Sequence, residues 1–222
     1  MKNQSILVKL LILVVPLVLL AVGVGIYAGQ NAIDVMDEAR KAYYEDLKGT
    51  SDKMLTLDRD MYQAQLAIDR VYINRLTFDT QNILTGLNDY TENAAQVSNG
   101  IGDLKTLLAN DEYFNNEYRA EGQTESNASL LAAYEQGVEE WLSAYDPSKD
   151  KGDRTLQYTN FQNARNALSE MEDSVEAYAD YLDDEMKSTI RAKAVAILVA
   201  VLLIAAACVA LAIYIILYIR KS

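Results

Sequence analysis

Residues 33–71 read IDVMDEARKAYYEDLKGTSDKMLTLDRDMYQAQLAIDRV, and their spacing decides the fold. Alternating steps of three and four from Ile33 meet Met36, Arg40, Tyr43, Leu47, Thr50, Met54, Leu57, Met61, Ala64, Ile68 and Val71, with only Arg40 and Thr50 off-pattern. An apolar period of about 3.5 residues predicts a long helix with one buried seam. The same arithmetic finds three more seams. Ile83, Leu87, Tyr90, Ala94, Val97, Ile101, Leu104 and Leu108 form the second, which Gly100 and Gly102 weaken and bend. Leu131, Tyr134, Val138, Trp141 and Tyr145 form the third, closed by Asp146-Pro147-Ser148 because proline disfavours helix at the residue before it. Phe161, Ala164, Leu168, Met171, Val175, Tyr178 and Leu182 form the fourth, after which Glu185 and Thr189 occupy the seam.

Helices with such stripes bury one another, so the expected fold is all-α, an antiparallel four-helix bundle with left-handed packing. Turn chemistry assigns the connections to Thr77–Gln81, to Asn110–Asn127 with its Gly122, and to Asp146–Asp153; Tyr113 to Tyr118 is left open between helix and loop.

Outward from the seams, two uncharged apolar runs flank the bundle, Leu10 to Gly29 and Ala194 to Ile219. A bilayer core about 30 Å thick needs roughly 20 helical residues, so each run suffices to span it. The bundle is therefore expected between two transmembrane helices, with the first helix leaving the first span and the fourth entering the second unbroken. Lys2 and Lys9 precede the first run and Arg220 and Lys221 follow the second, which by the positive-inside rule puts both ends in the cytoplasm. The resulting division is 1–9 cytoplasmic, 10–29 transmembrane, 30–193 extracytoplasmic, 194–219 transmembrane and 220–222 cytoplasmic. Lys187, Arg191 and Lys193 oppose it, and their side chains are expected to snorkel to headgroups. The first run is longer than a secretory signal and no A-x-A site follows, so it is read as an uncleaved anchor. Tyr27, Tyr214 and Tyr218 suit the interfacial aromatic belt.

Charge narrows the partners. Of 20 basic and 32 acidic residues, removing the four basic residues at the ends leaves 16 against 32, a formal charge of −16 that repels nucleic acid. There is no histidine, and the one cysteine, Cys208, lies in the second apolar run. Disulfides, Cys/His zinc sites, Ser-His and Cys-His nucleophile pairs and Glu-x-x-His di-iron motifs are thereby excluded, and neither enzymatic activity nor a cofactor or metal is expected. Asp58 with Asp60, and Asp183, Asp184 and Glu185, lack the spacing of a calcium loop and read as solvated faces. Trp141 and most of the tyrosines read as core.

The order of a span, AYYEDLKGTSDKMLTLDRD (42–60), seams holding LLAAYEQGVEEWLSAY (130–145) and NALSEMEDSVEAYADYL (166–182), then a second span, resembles the four-helix-bundle sensory domain of methyl-accepting chemotaxis receptors over essentially the whole chain. Such receptors continue into a cytoplasmic signalling coiled coil, whereas this sequence ends at Ser222, as the sensory part of a longer receptor or as a short relative without output. The resemblance implies a two-pass protein of the bacterial plasma membrane that detects an extracellular ligand and relays it inward to a chemotaxis, kinase or cyclase output. An accessory membrane protein whose bundle binds another protein without signalling is the alternative. Glu185 and Thr189 either weaken the seam enough to let helices slide or simply face solvent.

A homodimer through the outward face of the first helix is expected. Counting about 1.5 Å per residue from the membrane, Arg59 and Arg165 fall near 45 and 44 Å, and Arg70 and Arg154 near 62 and 60 Å. These two arginine tiers on the first and fourth helices are the candidate site for a small anionic ligand, because guanidinium forks hold carboxylate or phosphate bidentately. Asp58, Asp60, Asp69 and Asp153 are close enough in sequence to compete for them. An extracellular protein is the other class of partner.

Overall fold

The computed structural model describes residues 6–40 and 47–221. Lys2 and Tyr43 lie outside the described residues, as do the side chains of Lys9, Arg40, Tyr218, Arg220 and Lys221. The fold is all-α: α1 (Ile6–Arg40), α2 (Lys48–Leu76), α3 (Thr80–Leu108), α4 (Asn127–Ala144) and α5 (Arg154–Lys221). A π-helical turn, Tyr113–Glu117, occupies part of the α3–α4 connection, and the open stretch 113–118 is thus largely helical. The α4–α5 turn carries a two-residue antiparallel ladder, β1 (Tyr145–Asp146) and β2 (Lys151–Gly152), where a plain turn was expected. Gly152 has φ 120°, and a Cβ there would stand 2.2 Å from the Ala144 carbonyl oxygen, so this corner requires glycine.

Short polar residues start the helices. Asp79 accepts from the Asn82 backbone N–H before α3, Ser126 from that of Ser129 before α4, and Asp153 from those of Thr155 and Leu156 at the start of α5. Each satisfies orphan amides of a first turn.

The chain divides into two compact units. Lys41–Leu182 forms one, narrower than the expected 30–193; Met1–Arg40 and Asp183–Ser222 form the other. In the first unit one core draws on four helices: Met54, Leu57, Met61, Ala64 and Ile68 from α2, Val97, Ile101, Leu104 and Leu108 from α3, Leu131, Tyr134, Val138 and Trp141 from α4, and Phe161, Ala164, Leu168, Met171, Val175 and Tyr178 from α5. The seams read from spacing are thus the buried faces, and each large side chain removed from water contributes about 1.5–3 kcal/mol. Contacts run antiparallel. Lys53 meets Asp103 at 2.6 Å, Leu57 lies against Gly100 and Val71 against Gly86; across α2 and α5, Asp58 pairs with Arg165, Gln65 with Gln157 and Asp69 with Arg154. Gly100 therefore serves close helix approach, since a Cβ there would meet Leu57 Cδ2 at 2.6 Å.

Two expectations need correction. Ile33 and Met36 are 60% and 71% exposed, so the first seam is buried from Leu47 onward, and Val35 is the buried side chain in that turn of α1. Tyr62, Tyr72, Tyr113, Tyr158 and Tyr181 are exposed rather than core, unlike Tyr134, Tyr145 and Tyr178, because a phenol ring can cover a neighbour while its hydroxyl stays wet.

α1 and α5 each contain a stretch long and apolar enough to cross a membrane, within Val14–Asp37 and Arg154–Leu211, with mean hydropathies of 1.6 and 3.1. None of the most apolar 18-residue window of either helix is buried. Glu185 and Thr189 are exposed.

Candidate ligand site

Between α2 and the first turns of α5 lies a cavity of about 410 Å³ lined by Gln65, Asp69, Arg154, Thr155, Gln157, Tyr158 and Thr159. Its floor is polar although it abuts the core. Gln65 and Gln157 are 5% and 1% exposed, and the Gln65 side-chain carbonyl accepts from Gln157 Nε2 at 2.6 Å and from Trp141 Nε1 at 3.1 Å. Two charge-neutral amides and an indole thus satisfy one another where an isolated polar group would be costly.

The wall is charged. Arg154 donates through Nη2 to Asp69 Oδ1 at 2.9 Å, and its guanidinium carbon stands 3.7 Å from the Tyr72 ring centre, a cation–π contact. Its Nε is buried without a hydrogen-bond partner. A cation with an unused donor, a carboxylate opposite and the Thr155 and Thr159 hydroxyls beside them can hold a small molecule bearing an anionic group and a donor or cationic group.

The other arginine tier is built differently. Arg165 is held bidentately by Asp58 at 2.6 and 3.1 Å between the rings of Tyr62 and Phe161, and Arg59 donates through Nε and Nη2 to Asp60 Oδ1 at 2.9 and 2.8 Å. The Asp58 hydrogen bond raises the Arg165 guanidinium further above its ordinary value. Burial pushes the Tyr134 phenol up, with Asp58 and Asp60 adding to it, and also raises the Glu172 carboxyl, helped by Asp58 and Asp173. Arg70 is exposed on α2 next to Asp69. Arg165 lies level with residue 58 of α2 and Arg154 level with residue 69. Only Arg154 of the four lines the cavity.

Spacing alone did not single out Gln65, Gln157 or Tyr72. Gln157 was detectable, since one further step of four back along the fourth seam from Phe161 reaches it. Arg75 was also missed. It donates to the carbonyls of Pro147 and Ser148 and to the Tyr145 hydroxyl and pairs with Asp150 at 3.3 Å, tying the end of α2 to the α4–α5 turn. Burial and the Asp150 hydrogen bond push the Tyr145 phenol up to about 12, while Lys149 and Ser148 hold the Asp146 carboxyl well below the usual range.

Comparison with known proteins returned no match: no family model, curated protein or solved structure is similar to this chain.

Proposed function

We propose that the chain is the transmembrane sensory module of a chemotaxis-type receptor: an antiparallel four-helix bundle on the outer face of a bacterial plasma membrane, carried on two spanning helices with both ends in the cytoplasm. The ligand is a small organic anion or zwitterion, and the cavity beside Arg154 is its site. The observation that carries this reading is Arg154, which lines a cavity at the start of α5 and whose buried Nε has no hydrogen-bond partner. That helix continues to Lys221 and contains the more apolar of the two stretches, so a ligand held at its first turn acts on the element best suited to carry a displacement.

Exposure supports the membrane assignment. A helix apolar on all sides belongs in a large core or a bilayer, and Leu19, Leu202 and Leu203 are 65%, 60% and 67% exposed. Arg154 replaces the Arg59/Arg165 tier as the preferred anion site because carboxylates take two donors each of Arg59 and Arg165, whereas Asp69 takes one of Arg154 and leaves its Nε without a partner.

Thermal unfolding of the full chain in nanodiscs, with amino acids and organic acids titrated in, tests the site. Charged ligands should stabilise the wild type and Arg59→Ala alike and lose their effect on Arg154→Ala. Stabilisation that survives Arg154→Ala, or that only uncharged compounds produce, rejects the site. Protease added to spheroplasts should cut within 110–127 and spare both termini; cleavage only after lysis rejects the topology.

A further inference from the structure

The aromatic pair at the centre of the core is shut in: Trp141 and Phe161 lie 5.9 Å apart and are both buried. The rings around the π-helical turn are placed differently. Tyr113 within the turn and Tyr118 at its end meet Tyr181 of α5, and the three ring centres stand 6.4, 5.6 and 6.1 Å apart around the triangle. Behind them Phe114 and Tyr178, both part of the core, stack at 4.7 Å. Tyr113 and Tyr181 are 43% and 39% exposed, so the cluster has a packed floor and an open outer side.

Hydrogen bonds fix that arrangement. Asp111 accepts from the Phe114 backbone N–H at 2.9 Å and from the Tyr178 hydroxyl at 2.8 Å, which fastens the turn to α5. Arg119 is spent on the backbone, donating to the carbonyls of Tyr118 and Asn116. A π-helical turn is rare in itself and recurs at functional sites.

Charge selects the ligand. Residues 111–121 and 176–181 contain six acidic residues, Asp111, Glu112, Glu117, Glu121, Glu176 and Asp180, against Arg119 alone. Burial raises the Tyr118 phenol, and Tyr113 and then Asp180 raise it further, so the ring stays neutral with a carboxylate near it. Ring faces carry the negative part of the aromatic quadrupole, and together with the carboxylates they repel anions and draw cations. A calcium or magnesium ion asks for a cage of oxygens, and the described residues hold no group of three acidic, histidine or cysteine side chains arranged for a metal. A quaternary ammonium group asks for aromatic faces instead. A point outside the triangle of ring centres lies within about 5 Å of all three, inside the roughly 6 Å over which a ring attracts a cation.

We propose that Tyr113, Tyr118 and Tyr181 form a binding site for a quaternary ammonium group, with the exposed Asp180 supplying the opposite charge. The site lies apart from the cavity beside Arg154 and takes a ligand of opposite sign, so it stands whether or not the sensory reading holds. Choline suits it. A betaine suits it less, because its carboxylate meets the same acidic face.

The test titrates tetramethylammonium, choline, betaine and sodium into the full chain in phosphatidylglycerol nanodiscs and reads thermal unfolding. Tetramethylammonium and choline should raise the melting temperature at concentrations where sodium of equal ionic strength does not, and betaine should act more weakly. Tyr181→Phe keeps the ring and should keep the response. Tyr113→Leu and Tyr181→Leu keep apolar bulk without the ring face, and each should weaken binding about fivefold; Asp180→Asn, at an exposed position, should weaken it less. Circular dichroism checks that each variant is folded. A response equal to that of sodium, or one unchanged in the double leucine variant, overturns the site, and loss on Tyr181→Phe overturns it by assigning the effect to the hydroxyl. Phosphatidylcholine nanodiscs separate the two sources of the group: a free ligand still titrates, whereas a lipid headgroup already in place stabilises the protein at the outset and leaves nothing to titrate.

Discussion

Leu104 and Leu203 are the same residue on the same kind of element, yet one is wholly buried and the other 67% exposed. In Lys41–Leu182 apolar residues recur every three or four positions, and helices lie seam to seam. In the apolar stretches of α1 and α5 they occupy every side of the helix, and no stripe exists for a neighbour to cover. Periodicity thus separates helices that keep leucine from water by packing on another helix from helices whose leucines only an apolar solvent, as in the membrane assignment proposed above, would cover.

Deleting an aromatic from the packed region should separate the two most. Trp141 is fully buried against Phe161, so Trp141→Ala is expected to cost about 3–5 kcal/mol, measured by denaturant unfolding of the full chain in micelles. Leu203→Ala should leave the same transition in place. Equal losses would erase the distinction.

Glycine gives a second contrast. A Cβ at Gly137 would meet Ala164 Cβ at 2.9 Å and its backbone at 3.0 Å, so Gly137→Ala should destabilise by about 1–3 kcal/mol through overpacking. Nothing stands within 4 Å of a Cβ at Gly25, and Gly25→Ala should not lower the melting temperature. If both are neutral, α4 and α5 do not approach closely at Gly137.

Arg75→Ala removes a cation that holds the carbonyls of Pro147 and Ser148 and the Tyr145 hydroxyl. A loss of about 1 kcal/mol is expected, with faster amide exchange confined to residues 145–152. Exchange unchanged there would show that the ladder stands without the clamp.

The smallest effect concerns a carboxyl inside the packed unit. Burial holds the Glu172 carboxyl above its ordinary 4.5, so the folded state favours its protonated form. That contribution is complete below pH 4.5 and disappears as pH rises through the raised folded value. Glu172→Gln should therefore raise the melting temperature slightly at pH 7, and the gain should vanish in acid. A gain independent of pH would assign it to packing.

The seams were legible because a heptad is a local property. From Leu47 to Val71, from Val97 to Leu108, from Leu131 to Tyr145 and from Phe161 to Tyr178, every apolar seam residue read from spacing is partly or wholly buried. Caps at Asp79, Ser126 and Asp153 are equally local, each side chain reaching an amide two or three residues on. Ile33 and Met36 kept the period and still face outward, since a period says that a stripe exists and not that something covers it.

By itself, then, the sequence determined the helices, their buried faces, the turns and the two stretches apolar on all sides, all set by neighbours within about one heptad. Tertiary structure alone decided that Asp58 takes Arg165, that Gln65 meets Gln157 and Trp141, and that Arg154 keeps a donor free beside a cavity. Those pairings join residues up to 107 positions apart. Their partners follow from helix register across the core, and a shift of one residue, about 100° around a helix, would exchange them while leaving every local period intact.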